Sequence, residues 1–261
     1  MIVQLAVRLF AWTTLAYLVF PLVVIIGSSL TTSNFLAFPP EGLTLKWYEA
    51  VVFNPTYVAA FITSTILAAL ATCAAIILAI PAALAISRYE FAGKAAFSAL
   101  LLSPLVLPHL VLGAALLQFG TPLGLTRNFP ALIIGHVVIV TPFVLRTVLP
   151  LLSREQLALE DASRDLGANP VTTFFLITLP LIRPGIISGA IFAFITSFIN
   201  VELSIFNTTA ELNTIPVQLF TYVEYSIDPS IAAVSAVTII AAVVAIVIAD
   251  IAIGLDFLSE K

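Results

Sequence analysis

Long apolar segments set the strongest constraint on the fold of this chain. Of its 261 residues, 61% are hydrophobic and only 9% are charged, and the mean hydropathy is +1.16. A soluble domain has about a quarter of its residues charged, so this chain lacks the polar surface that would cover an apolar core in water. The composition therefore predicts a protein that is embedded in lipid.

Six segments are long enough to cross a bilayer, whose ~30 Å hydrocarbon core needs about 20 apolar residues of helix. Their predicted bounds are Leu5–Leu30, Tyr57–Ile86, Ala95–Phe119, Ala131–Leu152, Gly185–Phe206 and Pro229–Gly254. None alternates apolar and polar residues as a barrel strand does, so helices are the expected spanning form. We predict an all-α integral membrane protein with six transmembrane helices, built as a single domain over residues 1–261.

Basic residues favour one orientation of these helices. With the N-terminus in the cytoplasm, only Lys46 and Arg127 lie on the outer side. The remaining lysines and arginines fall in cytoplasmic segments and are Arg8, Arg88, Lys94, Arg146, Arg154, Arg164, Arg183 and Lys261. This bias follows the positive-inside rule and predicts that both termini are cytoplasmic. The first apolar run is long for a signal peptide, so we expect an uncleaved first helix.

Other features of the composition restrict the function. The net charge is −4 and there is no basic stripe, which argues against a nucleic-acid partner. A single cysteine, Cys73, excludes a disulfide framework and is expected to be a small buried residue.

Prolines inside the predicted spans indicate bent helices. Pro81 lies in the second span, Pro104 and Pro108 in the third, and Pro142 in the fourth. Each removes a backbone donor, and neighbouring helices or water then satisfy the carbonyls that this frees. Bends suit helices that rock around a central cavity. The alternative is that prolines are simply commoner in membrane helices than in soluble ones.

A polar block over residues 153–184 separates the fourth and fifth spans. Ser153 and Gln156 fit a capping box at the start of a helix, and Gly167 is suited to end that helix in a left-handed conformation. Asn169 and Pro170 then fit the cap and first position of a second helix. We predict a pair of cytoplasmic helices joined by a glycine turn.

The predicted helix pair has an apolar face. The small or apolar residues that should share one helical face are Leu157, Ala158, Ala162 and Leu166, while Val171, Phe174, Phe175 and Leu179 are further candidate anchors. The alternative is an amphipathic helix that lies on the lipid surface.

The same block resembles the docking loop of membrane subunits in binding-protein-dependent ABC importers. The run from Asp161 to Gly167, followed after nine residues by Ile177-Thr-Leu-Pro180, matches the family pattern E-A-A-x-x-x-G-x9-I-x-L-P. It departs from that pattern at Asp161 and Ser163. By this resemblance, the residues that couple to an ATPase are Asp161, Ala162, Ser163, Leu166, Gly167, Ile177, Leu179 and Pro180.

The resemblance extends over nearly the whole chain. Similarity to the second permease of spermidine/putrescine-type systems is carried by Lys46–Tyr48, Arg88–Lys94, Ser103–Pro108 and Ile215–Tyr222. It implies a type I importer fold in a bacterial inner membrane, with a second permease, an ATPase dimer and an extracytoplasmic solute-binding protein as partners. ATP and Mg²⁺ would be bound by the ATPase, since this chain has no G-x-x-x-x-G-K-[ST] phosphate loop and no cofactor of its own is expected.

Polar residues near the outer half of the fifth span are candidates for the solute pathway. Glu202 is an acidic residue in an apolar helix, and such charges are costly enough to suggest a function, although this one also fits a position at the outer interface. Asn200 should lie on a different face of the helix, and Tyr222 lies in the last external loop. The two histidines, His109 and His136, are expected to be packing residues and not metal ligands.

Three functions remain to be compared. An ATP-driven permease for a small organic solute such as a polyamine is preferred, although polyamine permeases have an acidic pair where this chain has Asn200 and Glu202. Other organic cations, amino-acid-like compounds, phosphonates and ferric ion stay open as solutes. A stand-alone carrier or channel would need inverted repeats, and an intramembrane enzyme would need a catalytic motif such as G-x-S-x-G; the sequence contains neither.

Overall fold

The computed structural model describes residues 2–253, with side chains for all of them except residues 2, 3, 154 and 245–253. This part of the chain is built from helices and turns. In chain order, the helices are α1 (Ile2–Ser29), α2 (Lys46–Val52), α3 (Pro55–Arg88), α4 (Lys94–Leu102), α5 (His109–Gly120), α6 (Phe129–Val148), α7 (Arg154–Asp165), α8 (Pro170–Thr173), α9 (Leu179–Phe198), α10 (Ile215–Tyr225) and α11 (Pro229–Ile253).

Four helical segments in the described residues are long and apolar enough to cross a membrane, judged by length and composition. They are Gln4–Ser29, Pro55–Arg88, Phe129–Leu151 and Pro170–Phe198. These agree with the first, second, fourth and fifth predicted spans in existence, though not in every boundary. The sixth prediction corresponds to α11, a 25-residue helix over Pro229–Ile253. Its predicted end, Gly254, lies outside the described residues.

The third predicted span is a broken helix. Lys94–Leu105 and His109–Leu123 meet at an angle of 109° and together count as one candidate span. Pro108 is in the extended conformation that precedes α5, with φ −59° and ψ 124°. Because a proline also disfavours the helical conformation at the residue before it, the break falls where Leu107 meets Pro108. The prediction of a bend was right, but its size exceeds a simple proline kink.

The fifth predicted span, Gly185–Phe206, has the wrong boundaries. The helix begins at Pro170, passes through a π turn at Phe174–Thr178 and ends at Phe198. Just beyond this end, the Asn200 side-chain Oδ1 accepts a hydrogen bond from the Leu203 backbone N–H at 2.9 Å. A side chain that bonds the backbone in this way offers it an alternative to the helical hydrogen-bond pattern.

The chain divides into two compact units, and the larger one is Ala59–Gln218. Its core contains a stripe of fully buried alanines on α3, at Ala71, Ala75, Ala79 and Ala83, with apolar residues of α6 and α9 in the same cluster. Small residues at a spacing of four let helices approach closely in lipid. Cys73, which was expected to be buried, is exposed because it lies between Ala71 and Ala75 and so points away from that stripe.

Helices α6 and α9 form the most extensive contact in this unit. Two glycines four residues apart make it possible. A Cβ atom at Gly185 would lie 2.6 Å from the Thr147 carbonyl oxygen, and one at Gly189 would lie 2.7 Å from the Val144 Cα. The two backbones are therefore in direct contact, as in the small-xxx-small packing of membrane helices.

The other unit combines Met1–Val58 with Leu219–Lys261. In its described part, α11 packs against both α1 and α2. The loop between α1 and α2 is fixed by the Trp47 indole N–H, which donates to the Thr31 carbonyl at 2.9 Å, and by the Tyr48 hydroxyl, which lies 2.5 Å from Ser29 Oγ.

Candidate functional site

Helix α7 begins at the predicted residue but without the predicted capping box. Ser153 has the extended backbone of an N-cap, with φ −77° and ψ 172°, yet its side chain makes no capping hydrogen bond. The predicted position of the cap is therefore right, but the side-chain hydrogen bond that the capping box requires of Ser153 is not made. Glu155 in the first turn still favours the helix through the positive end of the helix dipole.

The end of α7 is a glycine turn, as the sequence indicated. Gly167 has φ +89°, and its N–H donates to the Arg164 carbonyl at 2.9 Å, while the Ala168 N–H donates to the Ser163 carbonyl at 3.1 Å. This pair of bonds is the Schellman motif. Two residues later, Asn169 Oδ1 accepts the Thr172 N–H at 2.9 Å and caps α8. The turn that joins α7 to α8 is thus held at both ends.

The second helix of the predicted pair is not a separate element. Helix α8 has four residues and continues through the π turn into α9. The predicted block 153–184 is therefore one separate helix, α7, followed by the first part of the long helix that runs from Pro170 to Phe198. Asp161, Ala162, Ser163, Leu166 and Gly167 lie on α7 and its terminal turn, whereas Ile177 is in the π turn and Leu179 and Pro180 begin α9.

Several apolar side chains of this segment are exposed. Leu166 is 90% exposed and Val171 65%, and Leu159 and Phe175 are more than half exposed. We call these four residues the apolar surface. Ala158 and Ala162 are also exposed. The predicted face is therefore only partly right: Leu157, Phe174 and Leu179 are half-buried, and the exposed anchors are Leu166, Val171 and Phe175.

The buried side of α7 carries a charged residue that the sequence analysis missed. Glu160 is 4% exposed, and its Oε1 accepts hydrogen bonds from Arg88 Nη2 at 2.6 Å and from Thr178 Oγ1 at 2.7 Å. Next to it, Ser163 Oγ lies 3.2 Å from Thr173 Oγ1. A signal was present: Glu160 follows Leu157 by three residues, on the half-buried face, and Arg88 ends a long apolar helix.

A polar cluster forms where α5 begins and α9 ends. Asn200 Nδ2 lies 3.2 Å from His109 Nδ1, and Glu202 Oε2 lies 4.0 Å from the same nitrogen. Asn200 is buried, while the Glu202 side chain is 61% exposed. The expectation that Asn200 and Glu202 lie on different faces of one helix is wrong, because the helix ends before both. The sequence analysis expected His109 to be a packing residue, but both side chains approach its Nδ1.

Helix α5 approaches this cluster closely. A Cβ atom at Gly113, one turn after His109, would lie 3.0 Å from the Leu203 Cα and 3.3 Å from the Glu202 carbonyl oxygen. The backbone after the end of α9 is therefore held against α5. This contact holds the backbone of Glu202 close to the start of α5.

His136 has the packing role that was predicted. It is fully buried, with Nδ1 at 2.7 Å from Ser197 Oγ and Nε2 at 2.9 Å from Ser204 Oγ. Both ring nitrogens are engaged by hydroxyl groups. Among the described residues, no group of three histidine, cysteine or acidic side chains could hold a metal ion.

Tyr222 belongs to the other unit and has its own partner. Its hydroxyl donates to Asp228 Oδ2 at 2.6 Å, which raises the pKa of the tyrosine. Burial raises the pKa of Asp228, but hydrogen bonds from Ser230 and Tyr222 lower it by more, so the net shift is downward. The Tyr222 hydroxyl is therefore held by Asp228 at the start of α11.

Comparison with known proteins places the chain in a family. Residues 75–255, more than half of the chain, match the family described as "Binding-protein-dependent transport system inner membrane component". The chain belongs to this family. It is therefore a permease of a binding-protein-dependent transport system and a multi-pass protein of the inner membrane, as the docking-loop resemblance implied.

Its curated relatives include polyamine permeases. The permease is 28% identical over 242 residues to the spermidine/putrescine transport system permease protein PotC of Haemophilus influenzae, covering 93% of this chain and 94% of that protein. It is 31% identical over 201 residues to the putrescine transport system permease protein PotI of Escherichia coli K12, covering 74% and 72%. The resemblance to spermidine/putrescine-type permeases is thus confirmed.

A solved structure shares its fold. The permease aligns with a TM-score of 0.69 to a chain of a bacterial ABC transporter involved in the import of the acidic polysaccharide alginate, covering 99% of this chain and 97% of the other at 15% identity. The match supports the type I importer fold.

Proposed function

We propose that this permease is the translocation subunit of an ATP-driven importer for a small organic cation such as a polyamine. Six spans would form its membrane part: α1, α3, the bent pair of α4 and α5, α6, the α8–α9 helix and α11. It would line the solute pathway together with a second permease. Both termini and α7 would face the cytoplasm, in keeping with the positive-inside bias.

The apolar surface carries the docking part of this proposal. Helix α7 is otherwise polar, so exposed Leu166 and Val171 have no evident use unless another protein covers them. Full burial of such side chains contributes about 1.5–3 kcal/mol each. An ATPase dimer is the partner that family membership implies for this position. It would bind ATP and Mg²⁺, while the permease itself needs no cofactor, and an extracytoplasmic binding protein would deliver the solute.

The polar cluster supports a cationic solute. Glu202 supplies an exposed carboxylate, and among the described residues the titratable group near it is the His109 imidazole, at 4.0 Å. A carboxylate next to an amide and an imidazole offers acceptors for the N–H groups of a protonated amine. The polyamine permeases PotC and PotI, as relatives, favour the same class.

Gly167→Asp tests the docking. An aspartate there would take up an unfavourable backbone conformation at φ +89° and add a charge beside the apolar surface. We expect loss of ATPase co-purification and of ATP-driven uptake, while the variant still inserts into the membrane. The chain offers a matched control in Gly124, which has φ +69° and equally open surroundings but lies in the loop before α6. If Gly167→Asp co-purifies with the ATPase and supports uptake as well as Gly124→Asp does, the docking assignment fails.

A further inference from the structure

The buried side of α7 is tied to the membrane helices by one ionic contact. Glu160 and Arg88 are 72 residues apart in sequence, and their side chains are 5% and 11% exposed. A charged pair this deep has lost most of its hydration, so it persists only where its geometry and hydrogen bonds are good. The 2.6 Å Nη2–Oε1 distance and the added bond from Thr178 meet that condition.

This contact joins three separate segments. Arg88 is the last residue of α3, Glu160 lies in the middle of α7, and Thr178 ends the π turn that leads into α9. A charge-assisted hydrogen bond is directional, so it resists sliding in a way that an apolar contact does not. Arg88 Nε is buried without a hydrogen-bond partner in the described residues, so Glu160 is the recorded partner of a largely desolvated guanidinium.

We propose that Glu160 and Arg88 are positioning residues that transmit displacement of α7 to the end of α3. The inference rests on the proposed docking of an ATPase on α7. It adds the contact through which a displacement of α7 reaches the membrane helices. The apolar surface receives the partner on one side of α7, and the ion pair holds the other side to α3 and to the start of α9. When the ATPase moves α7, Glu160 carries the end of α3 with it.

Hydrogen–deuterium exchange of the complete complex tests this path without knowledge of the solute. Exchange would be measured with no nucleotide and after trapping with ATP and vanadate. In the parent complex, we expect trapping to change exchange in both α7 and the last two turns of α3. In Glu160→Gln, the change in α7 should remain and the change in α3 should be lost. The charge exchange Arg88→Glu with Glu160→Arg should restore it.

Two further variants separate transmission from folding. Glu155→Gln makes the same chemical change on an exposed position of α7 and should behave as the parent. If Glu160→Gln does not accumulate, Arg88→Met with Glu160→Leu removes both charges and leaves neither unpaired. This double variant should keep the thermal stability of the parent and lose the response in α3.

The outcomes distinguish this inference from the proposed function. A response in α3 that persists in Glu160→Gln or in the double variant, with the ATPase still bound, overturns the transmission role and leaves the docking intact. Failure of the parent permease to bind an ATPase overturns both. A response lost equally in Glu155→Gln would also contradict the inference, since any charge change on α7 would then suffice.

Discussion

At the scale of single residues, two glutamates illustrate how surroundings decide a role. Glu160 is buried and its charge is met by Arg88, so it serves as a fixed attachment. Glu202 is mostly exposed, and its contact to His109 is long, at 4.0 Å. A carboxylate that the fold does not neutralise is available to a ligand. The difference between the two lies in the partners, which sequence alone does not give.

Glu202→Gln should weaken uptake of a cationic solute. The change keeps the size and one acceptor but removes the charge, and a hydrogen bond to a charged group contributes about 1.5–3 kcal/mol. We therefore expect the KM for spermidine uptake by proteoliposomes holding the complete importer to rise roughly tenfold or more. Glu211→Gln, an exposed glutamate of the following loop, is the control. An unchanged KM would show that Glu202 does not contact the solute.

At the scale of elements, the packing of α6 on α9 opposes intrinsic helix propensity. Alanine is a better helix former than glycine by about 0.5–1 kcal/mol, so propensity alone would favour alanine at Gly185 and Gly189. Both glycines instead lie where a Cβ would meet the α6 backbone. Overpacking of this kind costs about 1–3 kcal/mol, and because α6 would have to move away from α9, contacts along both helices would be lost.

Gly185→Ala with Gly189→Ala should thus destabilise the permease, although it improves helix propensity. The expected result is a lower midpoint of thermal unfolding in detergent. Ser188→Ala, on the same turn of α9 but outside the glycine contact, should change the midpoint little. A rise in the midpoint of the double variant would mean that α6 and α9 are further apart than the structure has them.

The sequence predicted elements better than it predicted where they end. Hydropathy located five of the six predicted spans as single or bent apolar segments, and Gly167 and Asn169 located the turn after α7. The end of α9 was missed because the apolar run continues beyond Phe198, where the Leu203 N–H donates to the Asn200 side chain in a separate turn. The Glu160–Arg88 pair was missed because, although each residue has a local signal, the two are 72 residues apart and no sequence pattern shows that they meet.

At the scale of the molecule, α9 connects the two regions of the larger unit to which we propose functions. It begins directly after Thr178, which bonds Glu160, and ends just before Asn200, which contacts His109. Its 20 residues extend about 30 Å, the thickness of the hydrocarbon core. Thr178, which bonds Glu160 of α7, and the polar cluster are therefore at opposite ends of one helix, and we expect them on opposite sides of the membrane core.

Labelling of single cysteines should reveal this arrangement. In a Cys73→Ala background, which removes the only native thiol, Leu123→Cys and Leu166→Cys place exposed thiols before and after α6, respectively. Because α6 is the one candidate span between them, a membrane-impermeant maleimide should reach Leu123→Cys from outside intact cells and Leu166→Cys only in inverted vesicles. Bound ATPase should then slow labelling of Leu166→Cys and leave labelling of Leu123→Cys unchanged. Reaction of both thiols from the same side would contradict the orientation, and equal labelling of Leu166→Cys with and without ATPase would contradict the docking on α7.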